Sequence, residues 1–447
     1  MLPDNSGALN ALIEAAEELL KALRIANLNA HKSCSPSSLM HTKKQSVTGN
    51  PPLIIRYARS EREYPAPARP PDRYREANRF MSLAAIDYVS ALAVHPGIPH
   101  SVHLTSIPLP APGPHDAVVK VRQVGICGTD REIIEGKFGT PPPGQHELVL
   151  GHEVFGVVES VGDEVATLAP GDFVSATVRR PDNCAYCQAG QPDMCQALGY
   201  VERGIIGHHG FMAERFVDDV DYLVPVPAAL APTAVLLEPL SVVEKAVRQA
   251  NLIQQRMAAW RPKTAVVLGA GPIGILGTFL LRSRGLEVYT LARTPPPTPN
   301  AGLVTACGAH YVSTSETPLR ELTGSLPNID IILEATGHGP LAFDAMDLLG
   351  NNGVLVWLSI IGGDDLSPLP YSSILRGHVL GNKVTVGSVN SAYEDFTLGV
   401  ADLGKFDLLW PKLTETMITH RLNLDEASEI GIGHVIPGSV KTVIDFA

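Results

Sequence analysis

The sequence predicts an α/β protein with a β-rich part followed by a doubly wound parallel sheet. Residues 100 to 245 are rich in short Val/Ile runs punctuated by Gly and Pro, which is typical of many short strands. Residues 264 to about 380 instead alternate apolar strand patterns with helical patterns, as in a parallel sheet. A chain of 447 residues is too long for one hydrophobic core, so two or three domains are expected.

Composition restricts which binding partners and which cellular compartment are expected. The formal net charge of −11 argues against nucleic acid as a general partner. No apolar run reaches the ~20 residues that span a bilayer, and no basic segment followed by an apolar core marks a signal peptide. Three of the six cysteines lie within twelve residues, which suits metal binding in a reducing compartment better than a disulfide scaffold. We therefore expect a cytoplasmic protein that binds neither nucleic acid nor membranes.

The first 80 residues differ in composition from the rest. Residues 9–27 predict an amphipathic helix, and the segments after it are polar, basic and rich in proline. Met81 then opens MSLAAIDYVSALAV, which is an ordinary protein start. Two interpretations stay open: a regulatory or targeting arm, or a start codon assigned too far upstream. Composition alone favours the second.

The elements follow one another along the chain in a regular way. The β-rich part carries the strand patterns DAVVKVRQVGICG, ELVLGHEVFGVVESVG, GDFVSATV and YLVPVP. The second part opens with TAVVLGAGPIGILGTFLLRSRG, which predicts a buried strand, a glycine turn and a helix. EVYTLA, IDIILEATG and GVLVWLSI follow as further strands of the buried type. From about residue 381 the pattern returns to strands and helices that are expected to rejoin the first part.

The glycine turn predicts a dinucleotide site. Residues 269–274 fit the pattern GxGxxG directly after a predicted strand and before a predicted helix, which is the context that supports this reading. Gly269 permits the tight turn, Gly271 lets backbone approach pyrophosphate, and Gly274 lets strand and helix pack closely. The helix beginning at Pro272 and Ile273 directs its N-terminus at the phosphates.

The next strand bears on which dinucleotide is bound. An NAD-preferring protein carries Asp or Glu at the end of this strand to accept from the ribose 2′-hydroxyl. LEVYTLART instead ends Ala292-Arg293-Thr294, and an arginine at this place suits a 2′-phosphate. We therefore expect NADP, with NAD as the alternative, unless Arg293 is merely solvated at a strand end.

Four residues offer metal ligands of three kinds. Cys127 lies in GICGTDREI, His152 and Glu153 lie in LGHEVFGVVESVG, and Glu238 lies in LLEPLSVVEKAV. A thiolate, an imidazole and a carboxylate make a plausible zinc set, and a catalytic zinc keeps one position open. Spacing alone does not prove such a site, and the alternative for Cys127 is a buried inert thiol.

Taken together, these motifs resemble the zinc-dependent medium-chain alcohol dehydrogenase superfamily. The similar features are GICGTD, GHE followed by GVVESVGDEV, a cysteine cluster, and GAGPIG. GTDREI, VRRPDNCAYCQAGQPDMC, HGFMAERFVDD, LLEPLSVVEKA and GSVN resemble its glucose 1-dehydrogenase branch. The resemblance covers about residues 95 to 447, and it implies a GroES-like catalytic domain and a Rossmann domain.

The resemblance also implies roles for single residues. Cys127 and His152 match the thiolate and imidazole ligands of the catalytic zinc. Glu153 matches a carboxylate that coordinates the metal in this branch, directly or by exchange. Glu238 matches a further position that coordinates metal or binds sugar. Thr129 stands where a hydroxyl starts the proton relay, so it is expected to be catalytic and to contact substrate.

Glu202 in YVERGIIG and Asn390 in GSVN match positions that contact sugar or nicotinamide.

The chain also departs from its relatives at two places. Glu132 stands where many have a relay histidine, and Val242 stands where some have a sugar-binding Asp. These departures leave the outer part of the relay and the choice of glucose open. His209 is expected to be structural.

The cysteine cluster is one ligand short of the superfamily's structural zinc lobe. Cys184, Cys187 and Cys195 fit the last three of four cysteine places, and the first place falls on Pro181. Asp182, beside it, is a candidate for the fourth ligand, because a structural zinc site is tetrahedral. The alternative is a lobe without metal.

We therefore divide the chain into an extension over residues 1–80, a catalytic domain over 81–245, a nucleotide domain over 246–385 and a C-terminal part over 386–447. The expected activity is the oxidation of an aldose, D-glucose first, at C1 to the aldonolactone, with zinc and NADP. The alternatives are a polyol, threonine or alcohol dehydrogenase, or a catalytically silent nucleotide-binding protein. The resemblance implies a homo-oligomer, either a dimer or a tetramer.

Overall fold

The computed structural model describes residues 87–322, 324–359, 368–430, 432 and 436–447. The predicted extension and its amphipathic helix lie outside these residues. Among the described residues, there is no helix with the length and apolar character that crossing a membrane requires.

The described residues contain strands and helices in the alternation that the sequence predicts. The strands are β1 (Tyr88–Val94), β2 (His103–Pro108), β3 (Asp116–Gly125), β4 (Leu148–Val149), β5 (Glu153–Val161), β6 (Phe173–Ala176), β7 (Arg179–Arg180), β8 (Val201–Arg203), β9 (Gly207–His208), β10 (Arg215–Asp219), β11 (Leu223–Pro225), β12 (Thr264–Leu268), β13 (Glu287–Ala292), β14 (His310–Ser313), β15 (Ile331–Glu334), β16 (Val354–Trp357), β17 (Val384–Gly387), β18 (Ile418–Leu422) and β19 (Lys441–Asp445). The α-helices are Gly128–Ile134, Ala185–Gln188, Leu237–Gln254, Pro272–Ser283, Pro299–Ala306, Leu319–Leu322, Gly339–Leu348, Tyr371–Gly381, Tyr393–Leu409 and Leu424–Ile430.

The β-rich part is built on a seven-stranded sheet in the order β11-β6-β5-β3-β19-β18, with β10 also pairing with β3. The longest strand, β3, pairs antiparallel with β5, β10 and β19. Its apolar side chains, with those of β1 and β4, form one continuous core. Because β19 comes from the far end of the described chain, the sheet joins segments that are distant in sequence.

The second part is a six-stranded parallel sheet in the order β14-β13-β12-β15-β16-β17. The chain builds outward from β12 first on one side, through β13 and β14, and then on the other side, through β15 to β17. Ligands of such sheets bind at the carboxyl ends of the strands where this reversal occurs. The fully buried run Thr264–Leu268 forms β12, as expected for a central parallel strand. The predicted doubly wound sheet is confirmed.

Two long helices connect the parts. Leu237–Gln254, called the linker helix below, runs across the predicted boundary between residues 245 and 246. Tyr393–Leu409 packs against the linker helix and against Pro272–Ser283, with Phe406 and Trp410 contacting the Phe279 ring. The chain therefore rejoins the β-rich sheet at β18, after this helix. The domain boundaries after residues 245 and 385 stay predictions.

Candidate active site

Cys127 lies directly after the long strand β3, at the start of a short helix. It occupies the position before Gly128–Ile134, and its backbone N–H donates to Asp130 Oδ2 at 2.8 Å. Its Sγ lies 3.8 Å from Thr129 Oγ1, so thiol and hydroxyl share one surface. Gly125 is required at the end of β3, because a Cβ there would lie 2.0 Å from Glu153 Oε2. The glycine thus makes room for a carboxylate beside the thiol.

Glu153 begins the neighbouring strand β5, which pairs with β3 so that Gly125 faces Glu153, and His152 directly precedes this strand. Both side chains are buried, at 4% and 1% relative exposure. One ligand atom each from Cys127, His152 and Glu153 lie within 4.8 Å of one another. The structure therefore brings together three of the four predicted ligands, a thiol sulfur, an imidazole nitrogen and a carboxylate oxygen.

Two charged residues that sequence analysis missed support this trio. Asp130 Oδ1 lies 3.5 Å from His152 Nδ1, which leaves Nε2 as the nitrogen for a metal. Burial lowers the pKa of His152, but Asp130 and Cys127 outweigh it and hold the pKa well above its ordinary value. Lys441 in β19 pairs with Glu153 Oε2 and donates to Ile126 O at 3.0 Å. Asp130 belonged to the quoted GTD motif, whereas no local signal marked Lys441.

Glu238 lies in the first turn of the linker helix and is buried at 8% exposure. Burial raises its pKa to about 7, opposed by His152 and assisted by the charge of Glu153. Its carboxylate stands outside the group of atoms within 4.8 Å, so its metal role stays a prediction. It faces the trio from the helix that leads into the nucleotide part.

The trio fits a zinc ion in donor chemistry. Zinc is held by thiolate, imidazole and carboxylate donors, and catalytic sites use three protein ligands plus one open position. His152 also has the carboxylate partner that metal-bound histidines usually have. These observations support a catalytic metal centre at Cys127, His152 and Glu153.

The two predicted sugar-contacting residues meet directly. Asn390 Nδ2 donates to Glu202 Oε1 at 2.8 Å, although 188 residues separate them in sequence. Asn390 adopts a left-handed backbone at φ 59°, a region that asparagine tolerates better than most residues. The next residue, Ser391, is hydrogen-bonded through its hydroxyl to Ser241 at 2.7 Å, and Ser241 donates to Glu238 O at 2.6 Å. The pair is thus tied to the turn of helix that carries Glu238.

The dinucleotide turn has the geometry that its glycines predict. Gly269 adopts φ +102°, and a Cβ on Gly274 would lie 1.9 Å from Gly269 O. A Cβ on Gly271 would meet no atom within 4 Å, so this glycine borders open space at the N-terminus of the helix Pro272–Ser283. That space fits a pyrophosphate approaching backbone N–H groups, with Ile273 in the first turn. Arg293 is exposed just beyond β13.

The cysteine lobe gathers the four predicted residues. Ligand atoms of Asp182, Cys184, Cys187 and Cys195 lie within 4.8 Å of one another. Asp182 Oδ2 accepts from Cys195 Sγ at 3.1 Å, and its Oδ1 accepts from Cys184 N at 2.7 Å. The Cys184 backbone N–H, then the Cys195 thiol, lower the pKa of Asp182. The aspartate therefore faces the thiols, and the four groups could together hold a metal ion.

His209 lies apart from the metal trio and makes packing contacts. Its Nδ1 accepts from Val149 N at 3.2 Å, and its Nε2 lies 2.7 Å from Gln145 Oε1. These contacts accord with the structural role expected for His209.

Comparisons with known proteins agree with these observations. The family described as "Glucose dehydrogenase C-terminus" matches residues 231–446, and "Alcohol dehydrogenase GroES-like domain" matches residues 113–228. Glucose 1-dehydrogenase of Methanocella arvoryzae is 39% identical over 343 residues, covering 76% of this chain and 95% of that protein. Glucose 1-dehydrogenase 1 of Caldivirga maquilingensis is 42% identical over 345 residues, again covering 76% and 95%.

Solved structures give the same result. The chain is similar to Haloferax mediterranei glucose dehydrogenase in complex with NADP, Zn and gluconolactone, with a TM-score of 0.74 and 34% identity. The match covers 80% of this chain and 99% of that chain. The resemblance read from the motifs is thereby confirmed, and the chain belongs to the glucose dehydrogenase family of zinc-dependent medium-chain dehydrogenases.

Proposed function

We propose that this protein oxidises an aldose, with D-glucose as the expected substrate, at C1 to the aldonolactone, using zinc and NADP⁺. The observation that carries the proposal is the buried trio of Cys127, His152 and Glu153, whose ligand atoms lie within 4.8 Å of one another. It is supported by the similar Haloferax mediterranei enzyme, which was solved with NADP, Zn and gluconolactone.

Each group in the site has a separate task. Cys127, His152 and Glu153 hold the zinc, which when bound supplies a Lewis acid that eases loss of the anomeric hydroxyl proton. Thr129, whose hydroxyl lies 3.8 Å from the thiol, accepts a hydrogen bond from the anomeric hydroxyl and is the first group to receive its proton on the way to solvent. Glu202 and Asn390 hold the sugar hydroxyls, and Glu238 faces the site from the linker helix.

The nucleotide turn would hold the cofactor that accepts the hydride. Gly269, Gly271 and Gly274 let the cofactor pyrophosphate reach the helix at Pro272, and Arg293 binds the 2′-phosphate. NADP⁺, when bound, would supply the acceptor for the hydride from C1 and leave as NADPH, and the hydroxyl proton would pass to solvent. The sugar thus loses two electrons and two hydrogens and becomes the lactone.

The test is the initial rate of NADP⁺ reduction with D-glucose, D-galactose, D-xylose, sorbitol, threonine and ethanol, each with and without a chelator. We expect chelator-sensitive turnover of the aldoses alone, and none in Cys127→Ala. Turnover of sorbitol, threonine or ethanol instead would contradict the sugar-site assignment. Full activity of metal-depleted protein would contradict the zinc assignment.

A substitution at Arg293 tests which of the two cofactors the site prefers. Arg293→Ala removes the cation proposed for the 2′-phosphate, so we expect a KM for NADP⁺ at least tenfold higher and a KM for NAD⁺ changed less than twofold. Equal changes for both cofactors would show that Arg293 does not read the phosphate.

We also propose that the protein is a homo-oligomer. The helix Tyr371–Gly381 exposes Tyr371, Leu375 and Val379, which repeat every four residues and so share one face, at 78%, 65% and 67%. The strand that follows it, β17, ends the parallel sheet within the described residues. An exposed apolar face beside an edge strand fits a second copy of the chain joined by a twofold axis.

Light scattering after size exclusion tests this proposal. We expect the wild-type protein to be a dimer or tetramer and Leu375→Asp to shift it toward the monomer. Leu252→Asp changes an exposed leucine on the linker helix and is expected to leave the mass unchanged. A wild-type monomer would contradict the proposal.

A further inference from the structure

Arg179 lies beneath the predicted sugar-contacting carboxylate. Arg179 in β7 and Glu202 in β8 are directly opposite in an antiparallel pair. The guanidinium places Nε at 3.0 Å and Nη2 at 2.9 Å from Glu202 Oε1. The side chains are 4% and 8% exposed, so this is a buried ion pair rather than a surface contact.

The contacts on Glu202 are one-sided. Its Oε1 receives the two Arg179 nitrogens and, at 2.8 Å, Asn390 Nδ2. Within the described part of the chain, none of the hydrogen-bond donors reaches Oε2. One carboxylate oxygen is therefore saturated and fixed, while the other keeps its capacity to accept a hydroxyl.

Arg179 is itself held from two sides. Its Cζ lies 3.7 Å from the centre of the Tyr200 ring, a cation–π distance. Its Nη1 donates to the carbonyls of Pro192 and Asp193 at 3.4 Å and 3.3 Å. These carbonyls belong to the turn that precedes Cys195 in the cysteine lobe. The guanidinium plane is thus fixed before any substrate arrives.

Lys245 joins the same turn to the nucleotide part. From the linker helix, its Nζ contacts Asp193 Oδ2 at 2.9 Å and Asp193 O at 3.3 Å. It also donates to Val389 O at 2.7 Å, one residue before Asn390. Arg179 and Lys245 therefore hold Glu202 and Asn390 from opposite ends of one buried network.

We propose that Arg179 is a positioning residue for aldose binding. It fixes the Glu202 carboxylate so that Oε2 accepts a sugar hydroxyl, and through Oε1 it orients the Asn390 amide. Lysine would keep the charge but not this geometry, because a single ammonium lacks the paired, planar donors of the guanidinium. The inference rests on the proposed function, since it needs a sugar at Glu202.

The experiment compares Arg179→Met and Arg179→Lys with the wild-type enzyme. We expect Arg179→Met to raise the KM for D-glucose at least tenfold and Arg179→Lys to recover part of that loss. NADPH affinity, followed by its fluorescence, and occupancy of the catalytic zinc are expected to stay within twofold, because Arg179 contacts Glu202, Tyr200 and the turn at Pro192 and Asp193 rather than the glycine turn or the metal trio.

A double-mutant cycle separates positioning from folding. If Arg179 acts through Glu202, Arg179→Met adds less than threefold to the KM for D-glucose in a Glu202→Gln background. The double variant also removes both buried charges, so it can be measured even where Arg179→Met alone fails to fold. An equal effect in both backgrounds would overturn the proposal.

Arg180→Lys is the matched control, because Arg180 is the adjacent buried arginine and pairs with Asp218 instead. We expect it to lower the melting temperature without raising the KM for D-glucose. Should both arginine variants lower melting temperature and leave this KM unchanged, Arg179 is structural only. A wild-type enzyme that oxidises no aldose would instead overturn the proposed function itself, and this inference with it.

Discussion

At the residue scale, the site depends on buried charges that come in pairs. Lys441 and Glu153 are 1% and 2% exposed, and together they close the metal trio on one side. The removal of one partner of a buried pair leaves an unpaired charge, which costs about 3–5 kcal/mol. Breaking such a buried pair therefore lowers the free energy of unfolding more than breaking a surface ion pair does.

We expect Lys441→Met to lower the free energy of unfolding by about 3–5 kcal/mol, because Glu153 is left buried without its cation. Denaturant unfolding in the presence of a chelator measures this without a contribution from metal. Lys120→Met, on an exposed position of β3, is the control and is expected to change little. Lys441→Met combined with Glu153→Gln should recover most of the loss, and a double variant as unstable as the single one would contradict this account.

Asp218 makes the stability dependent on pH. Burial alone would raise its pKa, but Arg180 and Arg203 outweigh burial and lower it. A carboxylate with a depressed folded pKa stabilises the fold above its unfolded value of about 3.9 and loses that contribution as pH falls through the folded value. We therefore expect Asp218→Asn to be less stable than wild type at pH 7, with the difference narrowing below about pH 4.

Unfolding curves between pH 7 and pH 3 test this expectation, with Asp163→Asn at an exposed position as the control. A difference between wild type and Asp218→Asn that stays constant over that range would show that the carboxylate does not titrate with folding.

Sequence analysis found the ligands more readily than their supports. Cys127, His152 and Glu153 stand in short motifs whose residue types already suggest zinc. Lys441 and Arg179 are single cations whose importance depends on pairing, and the contact between Lys441 and Ile126 spans 315 residues. No local pattern encodes such a contact, so it was visible only in the folded chain.

At the element scale, the cysteine lobe is a short helix and turn held by its own side chains and by contacts from Arg179 and Lys245. Because Asp182 faces the three thiols, we expect the isolated protein to carry one zinc in this lobe besides the catalytic one. Burial raises the pKa of the Cys187 thiol to about 12, so an empty lobe would hold a neutral thiol there, while a bound metal requires the thiolate.

Metal analysis of Cys184→Ser tests the lobe. We expect one zinc fewer per chain than in the wild type, with turnover retained, because the catalytic trio is untouched. Cys307→Ala changes a buried cysteine elsewhere and is expected to keep the full metal content. Equal zinc in the wild type and in Cys184→Ser would indicate an empty lobe.

The elements were predictable to different degrees. The strand and glycine turn at Thr264–Leu268 were clear from pattern, because a fully buried parallel strand is uniformly apolar. The two-residue strands β7 and β9 gave no pattern, because a period of two needs more residues to be seen. The packing of the helix Tyr393–Leu409 against the linker helix was also not predictable, because its sequence does not indicate the surface on which it packs.

At the scale of the whole molecule, the described contacts that form the site lie between residues 125 and 441. The curated relatives from Methanocella and Caldivirga are matched over 95% of their lengths by 76% of this chain. About a quarter of this chain therefore lies outside those matches, and the extension over residues 1–80 stays a prediction.

We expect a protein of residues 81–447 to match the full chain in kcat, in KM for D-glucose and in melting temperature. Parallel purification and assay of the two proteins tests this. A truncated protein that loses turnover or a binding partner would favour the regulatory or targeting arm. N-terminal sequencing of the native protein is the independent check, because a mature start well before Met81 would contradict an upstream start codon.

The pairing of β3 with β19 also has a consequence for folding during synthesis. Glu153 is synthesised early, but Lys441, which neutralises it, leaves the ribosome almost three hundred residues later. The parallel sheet is made during that interval, and β19 can pair with β3 only after it. The metal trio therefore gains its neighbouring cation only when nearly the whole chain has been synthesised.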